Sequence, residues 1–593
     1  MYYFIVLNLK ALLFLYMTQA VHKTWIVFAV TSLISLIYFL ISYRYLKKHK
    51  HIIVFTFYSV FSILMFADVL YCLYFNRLLS ITMQSQIKQL PGVGNVISGL
   101  INVWLLLFII DLPLLILYFR KNKSFKMKSL KVPYFKSSMA LSVLTIALLF
   151  ANHSKTIRAY EFFTYHTYDI VTSIREDETK EAPLDIQSLI NASKSINGPL
   201  TSVAKDRNVI IIQIEALQNL AINLEIQDQE ITPNLNSLIN ETSTIYFEDI
   251  YQSVARGNTS DAEFAMLNSL YPSTQQIVYE EAYDKDYYSL AHLLGESGYD
   301  TSYFHANVGD FYNREVMTKQ LGFDYFYDAD DYFYEDERDI ISYGVNDEIF
   351  FNQSLEYIEE LDKSSPKWMS FLISLSSHAP FVIPEKDKTL FLENEDENIA
   401  LHYFESLHYM DSVLGEFIDG LKQKGLYDNS MIVIYGDHFG LNASTQEQKE
   451  AVEEVLNIEY TVQQMTNVPL LVHMPNTNVK QTISTIGSQV DIYPTVINLL
   501  GIENSKGVML GQDLINSKRH NSATLQFFLP DGSYIDNQFI YVASRDHELD
   551  HSVLIDRNDY SILDSSYISN QLEINAARLE LSKQLISQNK IKK

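Results

Sequence analysis

The side chains best suited to phosphate chemistry fall in two short stretches. In Tyr435-Gly436-Asp437-His438-Phe439-Gly440 a carboxylate and an imidazole stand side by side, able to offer one oxygen and one nitrogen to a single cation. With Glu215 they make a mixed oxygen and nitrogen donor set, which suits Mn²⁺, Zn²⁺ or Mg²⁺ rather than a soft metal. An isolated Asp-His pair is more often a plain strand-end turn, so its weight depends on where it sits in the fold. The second stretch is Gly257-Asn258-Thr259-Ser260-Asp261-Ala262-Glu263. Ser260 and Glu263 have the Ser-x-x-Glu spacing of a capping box. Thr259 then stands just before a helix N-terminus, where free N–H groups and the helix dipole favour an anion. A metal-activated hydroxyl there can attack phosphorus, and the same amides can hold the phospho-threonine that results. The plain alternative is an ordinary helix cap.

The elements around these residues decide between the readings. From about Arg207 short apolar runs alternate with amphipathic stretches. Asn208–Ile214 (NVIIIQI) is a continuous β-branched run, as in a strand buried on both faces. Thr301–Phe304, Trp368–Ile373, Met431–Tyr435 and Val468–His473 are similar. Before the strand MIVIY, Leu401, Phe404, Leu407, Asp411, Leu414, Phe417 and Leu421 recur mostly at three- and four-residue steps, which predicts a helix. Such alternation implies an α/β domain with a mostly parallel sheet covered on both faces. Ligands of such sheets bind beyond the carboxyl ends of the strands. Glu215, His305, His378, Asp437 and His438 all follow predicted strands, so five ligating or ionisable side chains are expected on one rim.

Charge divides the chain. Of 45 Lys+Arg and 71 Asp+Glu in 593 residues, residues 1–150 carry 15 bases and only two acids, Asp68 and Asp111. A basic apolar part followed by a strongly acidic part points to two compartments. The acidic part is unsuited to nucleic acid, whose backbone needs a basic face. The single cysteine, Cys72, excludes a disulfide framework and a cysteine zinc site. Five apolar segments, Tyr2–Thr18, Thr24–Leu46, Ile52–Phe75, Leu100–Phe119 and Ser137–Ala151, predict an all-α anchor of five transmembrane helices. Arg44, Lys47, Lys48 and Lys50, and then Arg120, Lys121, Lys123, Lys126, Lys128, Lys131 and Lys136, mark two cytoplasmic loops. The N-terminus is then inside and the chain beyond about Ala151 outside the cell, multi-pass and membrane-anchored. Asp68 and Asp111 fall in or beside spans, where an acid is functional by default unless it lies near an interface. Between anchor and sheet lie an aromatic stretch, Tyr160–Tyr168, suited to a membrane surface, and a polar acidic one, Arg175–Glu181.

QIEALQNL, GNTSDAEF, FHANVGDFYNR, SSHAPF and YGDHFG, in this order after a five-span anchor, resemble the lipoteichoic acid synthases of the alkaline-phosphatase/sulfatase superfamily. The resemblance covers nearly the whole chain. It implies a transmembrane anchor at 1–151, a linker and docking segment at 152–206, a sulfatase-like catalytic core at 207–520, and a C-terminal subdomain of small sheet and helix at 521–593. It also implies that Glu215, Thr259, Asp437 and His438 bind one Mn²⁺, with Thr259 as nucleophile, and that His305, Arg314 and His378 contact the glycerol-phosphate group. The expected substrates are phosphatidylglycerol, which would release diacylglycerol, and a glycolipid or poly(glycerol phosphate) acceptor in a Gram-positive-type membrane. Arg314 is suited to clamp a phosphate bidentately, and His305 or His378 to protonate a leaving alkoxide. Two positions depart from the family pattern: Tyr312, where tryptophan is common, and Asn307, where better-known members carry an acid.

Other classes fit less well. An arylsulfatase needs a Cys/Ser-x-Pro-x-Arg motif, which does not surround Thr259. Phosphoethanolamine transferases also use a threonine, but generally carry cysteines in the outer domain. A primase adding the first unit and a metal-dependent phosphodiesterase remain as alternatives. A catalytically dead surface module is disfavoured by the intact ligand set.

Overall fold

The computed structural model describes residues 2–19, 23–45, 50–75, 77–83, 101–121, 135–174, 197–394, 398–443, 445–516, 522–564 and 571–592. Lys47, Lys48, the basic residues from Lys123 to Lys131 and the Arg175–Glu181 stretch lie outside them. The chain forms two compact units, Met1–Thr179 with Ala543–Val553, and Lys180–Val542 with Leu554–Lys593.

The first unit is helical. Four stretches are long and apolar enough to cross a membrane: Thr24–Tyr45, His51–Leu73, Val103–Lys121 and Phe135–Tyr160. Tyr2–Met17 is a shorter apolar helix, and Phe162–Ile174 follows the last long one. Leu7, Phe14, Val27, Tyr58, Met65 and Phe108 join one apolar cluster. The fourth stretch is not one rod. It breaks into helices Val103–Leu106 and Asp111–Lys121. Pro113 explains the restart, because proline is tolerated in a first helical turn but not in a helix interior. Asp68 and Asp111 are both paired. Asp111 Oδ1 lies 2.7 Å from Lys10 Nζ, which also donates to Ser62 Oγ and the Phe108 carbonyl. Asp68 accepts from the Leu79 amide and bonds His166 Nε2 at 2.7 Å.

The second unit is built on a nine-stranded sheet. In chain order its strands are β1 (Asn208–Ile214), β2 (Thr244–Tyr251), β3 (Asp300–His305), β4 (Tyr325–Tyr327), β5 (Trp368–Ile373), β6 (Ser430–Gly436), β7 (Asn467–His473), β8 (Gln481–Ile483) and β9 (Gly487–Ser488). They lie in the order β8-β2-β7-β6-β1-β5-β3-β4, with β9 also on β2. The block β6-β1-β5-β3-β4 is parallel. All residues of β1, β5 and β6 are buried, as their largely apolar runs require. Strand β7 is the exception to the expected direction, antiparallel to both β6 and β2. Its apolar run is like that of β6, so residue type does not distinguish its direction.

The helix Ile399–Gln423 buries every one of the seven positions picked out by its periodicity. Its first turn is capped by the Asn398 side chain, which accepts from the Ala400 amide. A second sheet of five strands, Ser522–Leu525, Ser533–Asp536, Phe539–Val542, Val553–Asp556 and Ile562–Leu563, precedes the helix Gln571–Ser587.

Candidate active site

Because β1 and β6 are parallel neighbours in register, with Ile214 opposite Gly436, the residues that follow them emerge together. Glu215, Asp437 and His438 are buried, and one ligating atom from each lies within 4.8 Å of the others. Gly436 permits this approach: a Cβ there would stand 2.0 Å from the Leu217 carbonyl oxygen. Asp437 Oδ1 accepts from the amides of Ala216 and His438, at 2.7 and 2.6 Å. Oδ2 is buried without a hydrogen-bond partner. His438 donates from Nδ1 to the Phe439 carbonyl over 2.8 Å, so that when the ring is neutral its Nε2 carries a lone pair. That nitrogen too is buried and unpartnered, 3.4 Å from Glu215 Oε1 and 3.7 Å from Asp437 Oδ2. Orphaned buried acceptors are costly, and one divalent cation would satisfy the set.

Electrostatics agree with that fit. Burial and the Glu215 charge push Asp437 well above the usual carboxylate range. Burial alone would lower His438, but Asp437 and Glu215 outweigh it and push it up to about 10. Burial alone would raise Glu215, but His438 and His378 hold it down to about 2. A proton thus neutralises part of a charge cluster that a metal would neutralise instead.

Thr259 is the first residue of the helix Thr259–Asn268, and its Oγ1 donates to Glu215 Oε2 over 3.0 Å. Its carbonyl accepts from Gln213 Nε2 at 3.1 Å, and Gln213 in turn accepts from the Tyr435 hydroxyl. Asn258 before it has φ 45° and ψ −104°, a costly conformation for a non-glycine residue. The Asp261 carboxylate secures the turn by accepting from the amides of Ala255 and Gly257, both at 2.9 Å. Burial raises Asp261 to about 7.

The expected capping box does not form. The helix N-cap is Asn258, without a side-chain cap bond, and Ser260 Oγ donates to the Gly257 carbonyl. Glu263 instead accepts from Arg314 Nη2 at 2.8 Å and from the Tyr303 hydroxyl. A guanidinium is a stronger partner for a carboxylate than a backbone amide.

His305 ends β3 and His378 follows β5. His305 Nδ1 donates to the Ile373 carbonyl at 3.3 Å. Burial and the Arg314 charge hold its pKa well below the usual histidine value. It is therefore a neutral ring offering Nε2 as an acceptor, and not the cationic acid expected. His378 Nδ1 donates to the Ala379 carbonyl, and its Nε2 lies 4.0 Å from Glu215 Oε1. Its ring meets Tyr343 edge-on at 4.6 Å. Arg314 starts the helix Arg314–Gln320 after two left-handed residues, Tyr312 and Asn313. One guanidinium nitrogen is taken by Glu263, while Nε and Nη1 are buried and unpartnered. Asn307 turns its Oδ1 onto the Val308 amide.

Several supporting residues carry no motif of their own. The Glu215 amide donates to Ser374 Oγ, and its carbonyl accepts from Ser377 Oγ. Asp347 accepts from the amides of Leu375 and Ser376, bracing the loop that carries His378. The serines of SLSSHAP, next to a predicted strand end, are the one signal from which they could have been found.

Comparison with known proteins places this geometry. Residues 207–502 match the Sulfatase family, and residues 1–182 match the Lipoteichoic acid synthase N-terminal domain. The lipoteichoic acid synthase of Staphylococcus aureus is 30% identical over 519 residues, covering 83% of this chain and 78% of the relative. The chain belongs to the lipoteichoic acid synthase family. Lipoteichoic acid synthase-like YvgJ of Bacillus subtilis is also 30% identical, over 507 residues, 81% of this chain and 80% of its own. The crystal structure of the lipoteichoic acid synthase LtaP from Listeria monocytogenes superposes with a TM-score of 0.62 at 32% identity, covering 68% of this chain and 97% of that one. As a member of the lipoteichoic acid synthase family the chain is an enzyme of the sulfatase superfamily. It is a multi-pass membrane protein with its catalytic domain outside the cell.

Proposed function

We propose that this enzyme transfers glycerol phosphate from phosphatidylglycerol to a glycolipid or a growing poly(glycerol phosphate) chain, through a phospho-threonine at Thr259. The observation that carries this reading is the Thr259 hydroxyl, hydrogen-bonded to Glu215 at 3.0 Å on a helix N-terminus beside Asp437 and His438. In this reading residues 1–151 anchor the enzyme, 152–206 join the anchor to the core, 207–520 form that core, and 521–593 complete it.

In the first half-reaction Thr259 Oγ1 attacks phosphorus and its proton passes toward Glu215. The new Oγ–P bond forms as the bond from phosphorus to the diacylglycerol oxygen breaks, and that oxygen takes up a proton to leave as diacylglycerol. In the second, an acceptor hydroxyl attacks the phospho-threonine and gives its proton to His378 Nε2, while the P–Oγ bond breaks and the proton held toward Glu215 returns to Thr259 Oγ1. Glu215, Thr259, Asp437 and His438 would hold one divalent ion, Mn²⁺ in this reading with Mg²⁺ or Zn²⁺ as alternatives, which when bound supplies Lewis acidity and lowers the hydroxyl pKa. His378 Nε2 is the ring atom suited to carry the proton. His305, neutral, accepts a hydrogen bond from the glycerol part, and Arg314 binds phosphoryl oxygen with the donors Glu263 leaves free.

The test uses the full chain in proteoliposomes with fluorescent phosphatidylglycerol and Mn²⁺. Diacylglycerol release by the wild type, and none by Thr259→Ala, is the expected result. Release that survives the substitution removes the nucleophile, and its absence from the wild type removes the transferase.

A further inference from the structure

The Glu263–Arg314 pair is more enclosed than its surroundings require. Glu263 is 0% and Arg314 2% exposed by side chain. Burying two charges costs several kcal/mol per ion unless each finds good partners. Glu263 is satisfied, with Arg314 on Oε1 and the Tyr303 hydroxyl on Oε2. Arg314 is not, since Nε and Nη1 have no partner and no water-like exposure. A guanidinium held at one nitrogen, with two others dry and idle, is oriented for something absent from the free protein. The placement of its holder is equally specific. Glu263 is the fourth residue after Thr259 on one helix, so the two side chains project from the same helical face. The pairing spans 51 residues of sequence, tying the helix that starts at Arg314 to the helix that starts at Thr259.

We propose that Glu263 is a positioning residue: it fixes the Arg314 guanidinium relative to the Thr259 hydroxyl, so that the idle donors meet the phosphoryl oxygens when the nucleophile meets phosphorus. This rests on Arg314 being a phosphate contact, and deepens that reading by naming what aims it. Glu263 itself touches no substrate. Tyr303 holds the second carboxylate oxygen and so sets the plane of the carboxylate. Geometry of this kind matters because an error of about 1 Å in a reacting group costs about a hundredfold in rate.

Glu263→Gln keeps the side-chain size and one acceptor but removes the charge. With the full chain and Mn²⁺, calorimetry of glycerol phosphate binding reads the clamp directly, without turnover. Binding is expected to weaken about tenfold or more in Glu263→Gln, the loss of one charge-assisted contact. Arg314→Lys is expected to weaken it similarly, and the double variant to add less than about twofold more, as for residues that act as a unit. The Mn²⁺ affinity stays near that of the wild type, which a general loss of structure would not leave unmoved. The unfolding midpoint falls, because the Arg314 charge is left buried without its partner, so binding is measured at a temperature where the variant is folded. Diacylglycerol release falls in parallel. Wild-type binding without diacylglycerol release defeats the transferase reading alone, while the binding series still judges Glu263. Unchanged glycerol phosphate binding in Glu263→Gln, or a loss matched by lost Mn²⁺ binding, overturns the proposal. If Glu263→Gln fails to fold, Tyr303→Phe decides: it removes one bond and keeps the charge, and is expected to weaken binding about threefold. No change there overturns it as well.

Discussion

Thr259 Oγ1 and Glu215 Oε2 stand 3.0 Å apart although 44 residues separate them in the chain. One sits on a helix N-terminus and the other just beyond the central strand β1. The hydroxyl proton is thus already directed at a carboxylate that His438 and His378 keep ionised against the cost of burial.

Thr259→Ala is expected to lower diacylglycerol release at least about a thousandfold, the scale of losing a nucleophile. Thr259→Ser keeps the oxygen and is expected to stay within about tenfold of the wild type. Rapid-quench detection of phosphoprotein in the wild type and in the serine variant, and not in the alanine one, checks the covalent step.

Removing the metal should be visible without any turnover. A chelator is expected to lower the unfolding midpoint, and Mn²⁺ at about a hundred times its Kd to restore about 2.7 kcal/mol. Asp437→Asn, which neutralises a carboxylate whose Oδ2 is otherwise orphaned, should abolish the difference. Equal midpoints of the wild type with and without Mn²⁺ would show that the cluster holds no such ion.

Gln213 connects the Tyr435 hydroxyl to the Thr259 carbonyl. Gln213→Leu conserves bulk and deletes both bonds. Two hydrogen bonds are lost and the Tyr435 hydroxyl is left buried, so the expected cost is about 2 kcal/mol or more of stability and about a tenfold loss of kcat. Mn²⁺ binding should be nearly unaltered, measurable by titration calorimetry. A variant with wild-type kcat would reduce Gln213 to packing.

Asp411 gives the pH prediction. Its carboxylate accepts from the amides of Asn234 and Leu235, yet burial raises its pKa from 3.8 to about 6. Between those values the native state holds a proton that the unfolded chain has released, so stability falls as pH rises from about 4 to about 6. A tenfold change in proton affinity is worth about 1.4 kcal/mol, so the total is at most about 3 kcal/mol. Asp411→Asn cannot titrate. Urea midpoints of the two proteins across this range should therefore draw closer or cross as pH rises, in favour of the variant. A constant difference would mean that the two amides keep the carboxylate ionised throughout.

Much of the core was legible because its strands are buried on both faces. NVIIIQI and MIVIY leave no polar phase to misread, and β1 and β6 lie within a residue of their expected bounds. The rim followed from that, since Glu215, Asp437 and His438 needed only their places after those strands. Strand β2, TIYFEDIY, was not visible, because its acids interrupt the apolar run while its partners on both sides still bury it. Glu263 was misplaced by a local pattern, since Ser-x-x-Glu describes four residues and its actual partner is distant. The fourth apolar segment reads as continuous by composition, and only Pro113 hints at the break.

That break has a consequence for how the anchor is made. Lys10 and Asp111 are 101 residues apart, so the ribosome delivers the ammonium long before its counter-ion. A lone charge in a bilayer is expensive and draws water or snorkels toward the surface. Until the second half of the fourth segment supplies its carboxylate, the first helix must keep its ammonium hydrated or near an interface. The ion pair therefore forms only in a chain translated past residue 111, which makes it a late contact in the assembly of the anchor.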